Sequence, residues 1–409
     1  MKIVGVITEY NPFHNGHLYH IEKAKEISGA DAVVAVMSGN FVQRGTPAIM
    51  PKHLRTEAAL RSGASVVLEL PVCYATGSAE FFAEGAVSLF HSLGCIDSIC
   101  FGSESGNIEI LKYIANILID EPSGYRELLH AELKAGLSFP RARQNALVEY
   151  LKDDSLNAVL EQPNNILGIE YIKALAKRKS NIEIFTIKRK DSHYHSETLS
   201  ENYSSASAIR KSLQDASDFI YLEKHVPDAC YQLLSNAFGT RYPIYPNDFS
   251  LLLKYKLLTE TKESLAEYMD ISQELANRII NRRNEFISFE QFCDLLKSKE
   301  LTYARISRAL IHILLNIKNK DMLNYSENGH CLYAHILGFR KDSAAVLSAF
   351  KEHASIPIIT KLTQTDTLSD IGLEMLKKDI FASDLYESVV TDKFQTKFIN
   401  EYTQSMVFI

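Results

Sequence analysis

The chain has 409 residues, 46% of them hydrophobic and 23% charged, and its 44 Lys and Arg against 50 Asp and Glu leave a formal charge of −6. That is an ordinary soluble globular composition with core enough for two or three domains; no apolar segment reaches the ~20 residues that cross a bilayer. The acidic balance excludes a general nucleic-acid coat but leaves room for a local basic face that holds RNA.

Met1 runs straight into an apolar segment, without the cationic and then apolar regions of a secretory signal. Six scattered cysteines (73, 95, 100, 230, 293 and 331) with no Cys-x-x-Cys are expected to be reduced thiols of a cytoplasmic protein. Apolar runs over 3–7, 32–37, 66–70, 96–101 and 182–187 predict strands, with helical spacing between them. These runs are apolar throughout rather than alternating, as in a parallel sheet covered on both faces. Right-handed crossovers then bring the loops at 8–17, 38–47, 69–74 and 102–106 to one edge, where such sheets bind ligands. After about residue 216 the texture changes to helices over 248–258, 262–268, 273–281, 288–298 and 302–318. A smaller mixed segment, 332–409, follows, with strand hints at 335–339 and 356–360. The expected fold class is α/β: a Rossmann-like parallel sheet over 1–215, followed by a mostly helical C-terminal domain over 216–409.

The most informative stretch is Thr8-Glu-Tyr-Asn-Pro-Phe-His14-Asn-Gly16-His17. It predicts a first strand, a tight loop at Asn11-Pro12 and a helix opening at Gly16. A helix N-terminus attracts anions through its unpaired N–H groups and dipole, and glycine lets a ligand approach the backbone. Two imidazoles one turn apart can donate to phosphate oxygens as charge develops there. The competing readings are a structural histidine pair and a zinc pair; the latter lacks a third ligand at suitable spacing.

Further along, Met37-Ser-Gly-Asn-Phe-Val-Gln-Arg44-Gly45 places Arg44 in a glycine-bounded loop, and Gly102 follows the fourth strand. Asn164 and Asn165 precede a helix that either could cap. Lys188, Arg189 and Lys190 form a cationic run at a strand end, and Ser205-Ala-Ser207-Ala-Ile-Arg210 predicts a serine-capped helix with an arginine one turn inside. In the helical half Arg278, Arg282, Arg283, Lys297, Lys299, Arg305 and Arg308 are the cationic candidates, with Thr302 capping the helix of the last two. Phosphate contact and salt bridges to Glu274, Glu285 or Glu290 are equally open for them.

The His-x-Gly-His block, the 37–45 block, Phe101-Gly-Ser-Glu104, Pro163-Asn-Asn-Ile-Leu-Gly168 and the 205–210 block, in this order, resemble the bacterial tRNA(Met) cytidine acetate ligase family of the His-x-Gly-His nucleotidyltransferase superfamily. Two departures are mild: Tyr203-Ser204 stands where the superfamily often has Ile, and Ser207 where it has Thr. The resemblance implies ATP as substrate, with Mg²⁺ carried on the nucleotide, and acetate and elongator tRNA(Met) as partners, with neither DNA nor a membrane. It implies His14 and His17 as catalytic residues, no protein-bound metal, and a nucleotide site of Ile7, Thr8, Asn11, Pro12, Phe13, His14, Gly16, His17, His20, Gly102, Asn164, Arg189, Ser205, Ser207 and Arg210. RNA would be met by Lys188, Lys190, Lys299, Arg305 and Arg308. The implied reaction is acetyl-adenylate formation with pyrophosphate release, then acetylation of the wobble cytidine at N4. The alternative is adenylyl or cytidylyl transfer to a phosphorylated small molecule.

Overall fold

The structure, a computed structural model, describes residues 1–189, 204–214 and 219–409, apart from the Tyr221 side chain. Its strands are β1 (Ile3–Thr8), β2 (Ala32–Ser38), β3 (Phe41–Val42), β4 (Thr46–Pro47), β5 (Val66–Leu70), β6 (Ser98–Ser103), β7 (Glu183–Lys188), β8 (Ala334–Phe339), β9 (Ile358–Ile359) and β10 (Val407–Phe408). The main sheet runs β10-β8-β5-β2-β1-β6-β7, with β9 also paired to β8. From β5 to β7 every pairing is parallel. The connectivity reverses between β1 and β6, so the loops leaving those strands flank the crevice where doubly wound sheets take ligands.

Side-chain alternation along the parallel strands explains why they read as unbroken apolar runs. Ile3 and Ile7 of β1, Val34 and Val36 of β2, and Val66 and Leu68 of β5 enter one core layer. Val4 and Val6, Val33 and Ala35, and Val67 enter the other, against Ile21, Ala58 and Leu60. Both faces are covered by helix, so no polar face is left to alternate. The first layer is continuous with the helical part, through Leu253, Leu257, Leu275, Ile279, Phe289 and Phe292.

The predicted strand at 96–101 lies two residues further on, at 98–103. Asp97 explains the offset: its carboxylate accepts from Ile3 N–H at 2.6 Å, so Ile96 is buried without joining the ladder. Gly102 is consequently a strand residue rather than a loop residue. The 38–47 segment is not an open loop; it forms the β3–β4 hairpin. The chain past 332 does more than end the helical part. β8 pairs antiparallel with β5, and β9 and β10 pair with β8, so the last segment completes the sheet begun by the first residues. A 25-residue helix, Asp370–Phe394, had no sequence signal. Its inner face carries Asp379, Ser383 and Glu387 among the apolar residues, which breaks the 3.6-residue pattern.

Asp379 accepts from the Val72 N–H at 2.7 Å and Glu387 pairs with Arg241 at 2.8 Å, and further buried charges pair at the sheet. Lys52, fully buried, donates to Glu69 Oε1 at 2.7 Å and pairs with Glu401 Oε1 at 2.7 Å, while the His335 ring meets Glu69 Oε2 at 2.9 Å. The ammonium holds both carboxylates below their ordinary range. Among the described residues no helix is long and apolar enough to cross a membrane. All six cysteines are free thiols.

Lys52→Met leaves Glu69 and Glu401 buried without their cation, and such a loss costs ~3–5 kcal/mol. Denaturant unfolding should report that drop, whereas a loss under ~1 kcal/mol would mean water reaches the network.

Candidate active site

The N-terminal motif builds a wall of imidazoles. His14 is the N-cap of helix Asn15–Ser28, with Nδ1 accepting from Gly16 N–H at 3.0 Å. His17, at the third helical position, returns Nδ1 to the His14 N–H at 3.3 Å. This is a capping box in which imidazoles replace the usual Ser and Glu. The two rings lie face to face, centroids 3.8 Å apart and 30° from parallel. Since Nδ1 accepts in both, each neutral ring carries its proton on Nε2. His20 Nε2 lies 3.2 Å from the Cys100 carbonyl.

Here the geometry corrects the sequence argument about the helix terminus. Asn15 N–H donates to the His225 carbonyl at 3.0 Å and His17 N–H to the His14 carbonyl at 2.8 Å, so with Gly16 the first-turn donors are all taken. An anion at this point meets imidazole Nε2–H groups instead of bare backbone. Gly16 likewise has a different function from the one expected: a Cβ there would come 2.9 Å from His14 Cε1, so its missing side chain makes room for the ring.

A cavity of about 220 Å³ opens over this wall at the carboxyl edge of the sheet. Ile7, Thr8, Asn11, His14, Gly16, His17, His20, Gly102, Asn164, Arg189, Ser205, Ser207 and Arg210 all line it. Pro12 and Phe13 do not; Phe13 is buried behind His17, with centroids 5.5 Å apart. Arg210 donates to the Asn11 carbonyl at 2.7 Å and to Ser207 Oγ at 3.1 Å. Of the two serines the sequence offered as caps, Ser205 caps helix Ala206–Gln214, accepting from Ala208 N–H at 3.0 Å. The Arg189 Nε–H is buried and has no hydrogen-bond partner among the described residues, as expected of a group awaiting an anion. A Cβ on Gly102 would lie 3.3 Å from Arg189 Cγ, so this glycine accommodates the arginine stem.

Asn164 does not cap its helix. Its amide donates to Glu104 Oε1 at 2.6 Å, and Glu104 Oε2 accepts from Asn165 N–H at 3.0 Å, so a carboxylate from the β6 loop holds the start of Pro163–Lys177. Sequence reasoning also missed Glu9, Gln43, Thr46, Phe82 and Tyr171 as lining residues. Glu9 and Gln43 lie inside quoted motif blocks and carried a positional signal; Thr46, Phe82 and Tyr171 carried none.

The cationic candidates divide. Lys188 and Lys299 are exposed and Arg305 is half-buried at the capped start of Tyr303–Leu314. Arg308 is engaged by Asp270, with Nε–Oδ2 at 2.8 Å and Nη2–Oδ1 at 3.3 Å. Arg282 pairs with Glu285 at 2.9 Å, and Arg278 donates to the Leu296 carbonyl at 2.8 Å. Lys190 lies outside the described residues.

Residues 1–401 match the family described as HIGH Nucleotidyl Transferase, in keeping with this fold. A tRNA(Met) cytidine acetate ligase of Alkaliphilus metalliredigens is 40% identical over 408 residues, covering 97% of this chain and 96% of its own length. Its counterpart in Acetivibrio thermocellus is 40% identical over 415 residues with both chains fully covered. Among solved structures, Thermotoga maritima TmcAL in apo form superposes with a TM-score of 0.94 at 33% identity over all of both chains. The same protein bound with alpha-thio ATP gives 0.91, covering 100% of this chain and 99% of that one. The chain belongs to the tRNA(Met) cytidine acetate ligase family.

Burial and the neighbouring Arg189 and Arg210 charges lower the His14 pKa to about 3; burial, opposed by the Cys100 hydrogen bond, lowers that of His20 to about 4. His17 is also held well below the ordinary value, by burial first and His14 second. The rings are therefore neutral donors at physiological pH. The unfolded chain takes up these protons near 6.5, so their contribution to stability is whole above that pH and lost as pH falls toward about 3 and 4. Imidazole ¹⁵N shifts should stay those of neutral rings from pH 8 to about pH 5.5; an inflection near 6.5 in any of the three rings would contradict the burial argument.

Proposed function

We propose that this protein is an ATP-dependent ligase that activates acetate as acetyl-adenylate and transfers the acetyl group to N4 of the wobble cytidine in elongator tRNA(Met), in the cytoplasm. The observation that carries this reading is the pair of neutral imidazoles, Nδ1 locked on backbone N–H groups, in a cavity shared with Arg189 and Arg210. The ligase names of its relatives and the nucleotide analogue bound to the Thermotoga protein support it.

In this reading an acetate oxygen attacks the α-phosphorus of ATP in line, the bond from that phosphorus to the bridging oxygen breaks, and pyrophosphate leaves. His14 and His17 donate from Nε2 to phosphate oxygens as charge builds, needing no proton transfer. Arg189 and Arg210 hold phosphate oxygens. Ile7, Thr8, Asn11, Gly102, Asn164, Ser205 and Ser207 surround the nucleotide, and His20 supports the imidazole wall. No side chain forms a covalent intermediate. Mg²⁺ would enter on the phosphates of ATP. Among the described residues there is no cluster of three or more His, Cys, Asp or Glu that could hold a metal.

The amine of cytidine is conjugated and weakly nucleophilic, which is the chemical reason for spending ATP on a mixed anhydride. An anticodon loop presents unstacked bases that can enter a pocket. Lys188, Lys299 and Arg305 are the proposed phosphate contacts. Arg308, already paired with Asp270, supports the fold of that face.

Acetate-dependent ATP–pyrophosphate exchange without RNA tests the first half. His14→Ala or His17→Ala should slow it by the ~2–4 kcal/mol expected for one oxyanion-type donor, with ATP affinity little changed. Equal losses in rate and affinity would rule out that role. Lys299→Ala with Arg305→Ala should spare exchange, weaken tRNA binding and flatten its salt dependence by about two phosphate contacts. Unchanged tRNA affinity would place the RNA face elsewhere.

A further inference from the structure

The cavity has an uneven charge pattern. Its described lining includes three arginines (44, 189 and 210) and three histidines (14, 17 and 20), but only one carboxylate, Glu9. A lone carboxylate in an anion-binding cavity repels phosphate, so its presence there calls for a chemical reason.

Glu9 is held at two points. Its Oε1 accepts from the Gln43 N–H of the β3–β4 hairpin at 2.9 Å, and its own carbonyl accepts from the buried Arg55 guanidinium. The following residue, Tyr10, is held at φ 48°, a left-handed conformation costly for a bulky side chain. Strain over-determined in this way is characteristic of a group that must be aimed.

The side of the cavity it occupies also matters. Gln43, Arg44 and Thr46 of the hairpin line the cavity, and Gly45 at its tip meets helix Tyr303–Leu314, whose Ser307 Oγ donates to the Gly45 carbonyl at 2.6 Å. That helix carries Arg305, so the carboxylate is bound to the element that joins the nucleotide cavity to the proposed RNA face. The two imidazoles of the capping box cannot serve as proton acceptors in its place. His14 and His17 use their Nδ1 lone pairs on backbone N–H groups and carry protons on Nε2. His20 presents its Nε2 to the Cys100 carbonyl, 3.2 Å away.

We propose that Glu9 is the catalytic base of the acyl-transfer half-reaction, an assignment that rests on the acetyl-transfer reading above. As N4 of the cytidine forms its bond to the acetyl carbonyl carbon, the bond from that carbon to the bridging oxygen of the adenylate breaks. The electron pair leaves with AMP, and the N4 proton passes to the Glu9 carboxylate, which later returns it to water. No oxidant, reductant or further reactant is needed.

The test uses the full chain with Glu9→Gln and Glu9→Asp, each compared with the unsubstituted protein in both half-reactions. Glutamine keeps an oxygen for the Gln43 N–H, so ATP binding and acetate-dependent exchange should remain within about threefold. Single-turnover acetyl transfer to tRNA should fall about 100-fold or more, as expected for loss of a general base. Glu9→Asp should recover part of the loss. Equal falls in exchange and transfer would overturn the assignment in favour of a structural or nucleotide-binding role, and so would transfer that is unchanged. Absence of acetate-dependent exchange in the unsubstituted protein would overturn the acetyl reading, and this assignment with it.

Discussion

The site depends on a buried arginine. Arg55 has no exposed surface, and its guanidinium donates to the carbonyls of Ser38 and Met50, at 3.0 and 3.1 Å, and to those of Glu9 and Gly39. Glu9 follows β1 and Ser38 ends β2, so one planar fork ties the carboxyl ends of adjacent parallel strands to the hairpin and to the turn before helix Lys52–Arg61. Burying a charge is costly unless its donors are satisfied. Here the acceptors are carbonyls that the strands leave unpaired where the ladder stops, so one residue meets both needs. A lysine could not span these acceptors, since its donors radiate from a point.

From that clamp the rest of the edge is set in order. Fixing Glu9 and Met50 fixes the loop between β1 and the first helix, in which Asn11 Oδ1 accepts from Ile49 N–H at 2.7 Å. The loop sets the N-cap, and the N-cap sets the two imidazoles. Helix Lys52–Arg61 delivers Lys52 into the network with Glu69 and Glu401, which ties the C-terminal segment to the sheet. Gly39 is part of this arrangement: a Cβ there would fall 2.4 Å from Glu69 Oε1. The block 37–45 is thus a packing requirement of the buried ion pair as much as a cavity wall.

The parallel sheet was legible because both its faces are apolar, and the ligand edge followed from crossover handedness. A serine cap near 205 and the threonine cap at 302 were legible because capping is local chemistry, whereas the imidazole capping box was not, since imidazoles replace the usual capping residues. What escaped the sequence was long-range. Glu104 reaching across to start the helix of Asn164 and Asn165 spans about 60 residues, and no local pattern announces it. Tyr171 and Phe82 read as helix core and are core on one side, yet they also line the cavity. The return of β8 to pair with β5 joins residues more than 260 apart. Neither strand's composition encodes its partner.

Oxygen transfer from acetate tests the central claim most directly. With acetate carrying ¹⁸O at both oxygens, ATP and tRNA, in-line attack on the α-phosphorus followed by acyl transfer must leave one ¹⁸O in the AMP released. Mass spectrometry of that AMP should show a single-label shift in proportion to the acetylcytidine formed. Unlabelled AMP, with the label in pyrophosphate or inorganic phosphate, would contradict an acetyl-adenylate and require activation at another phosphorus.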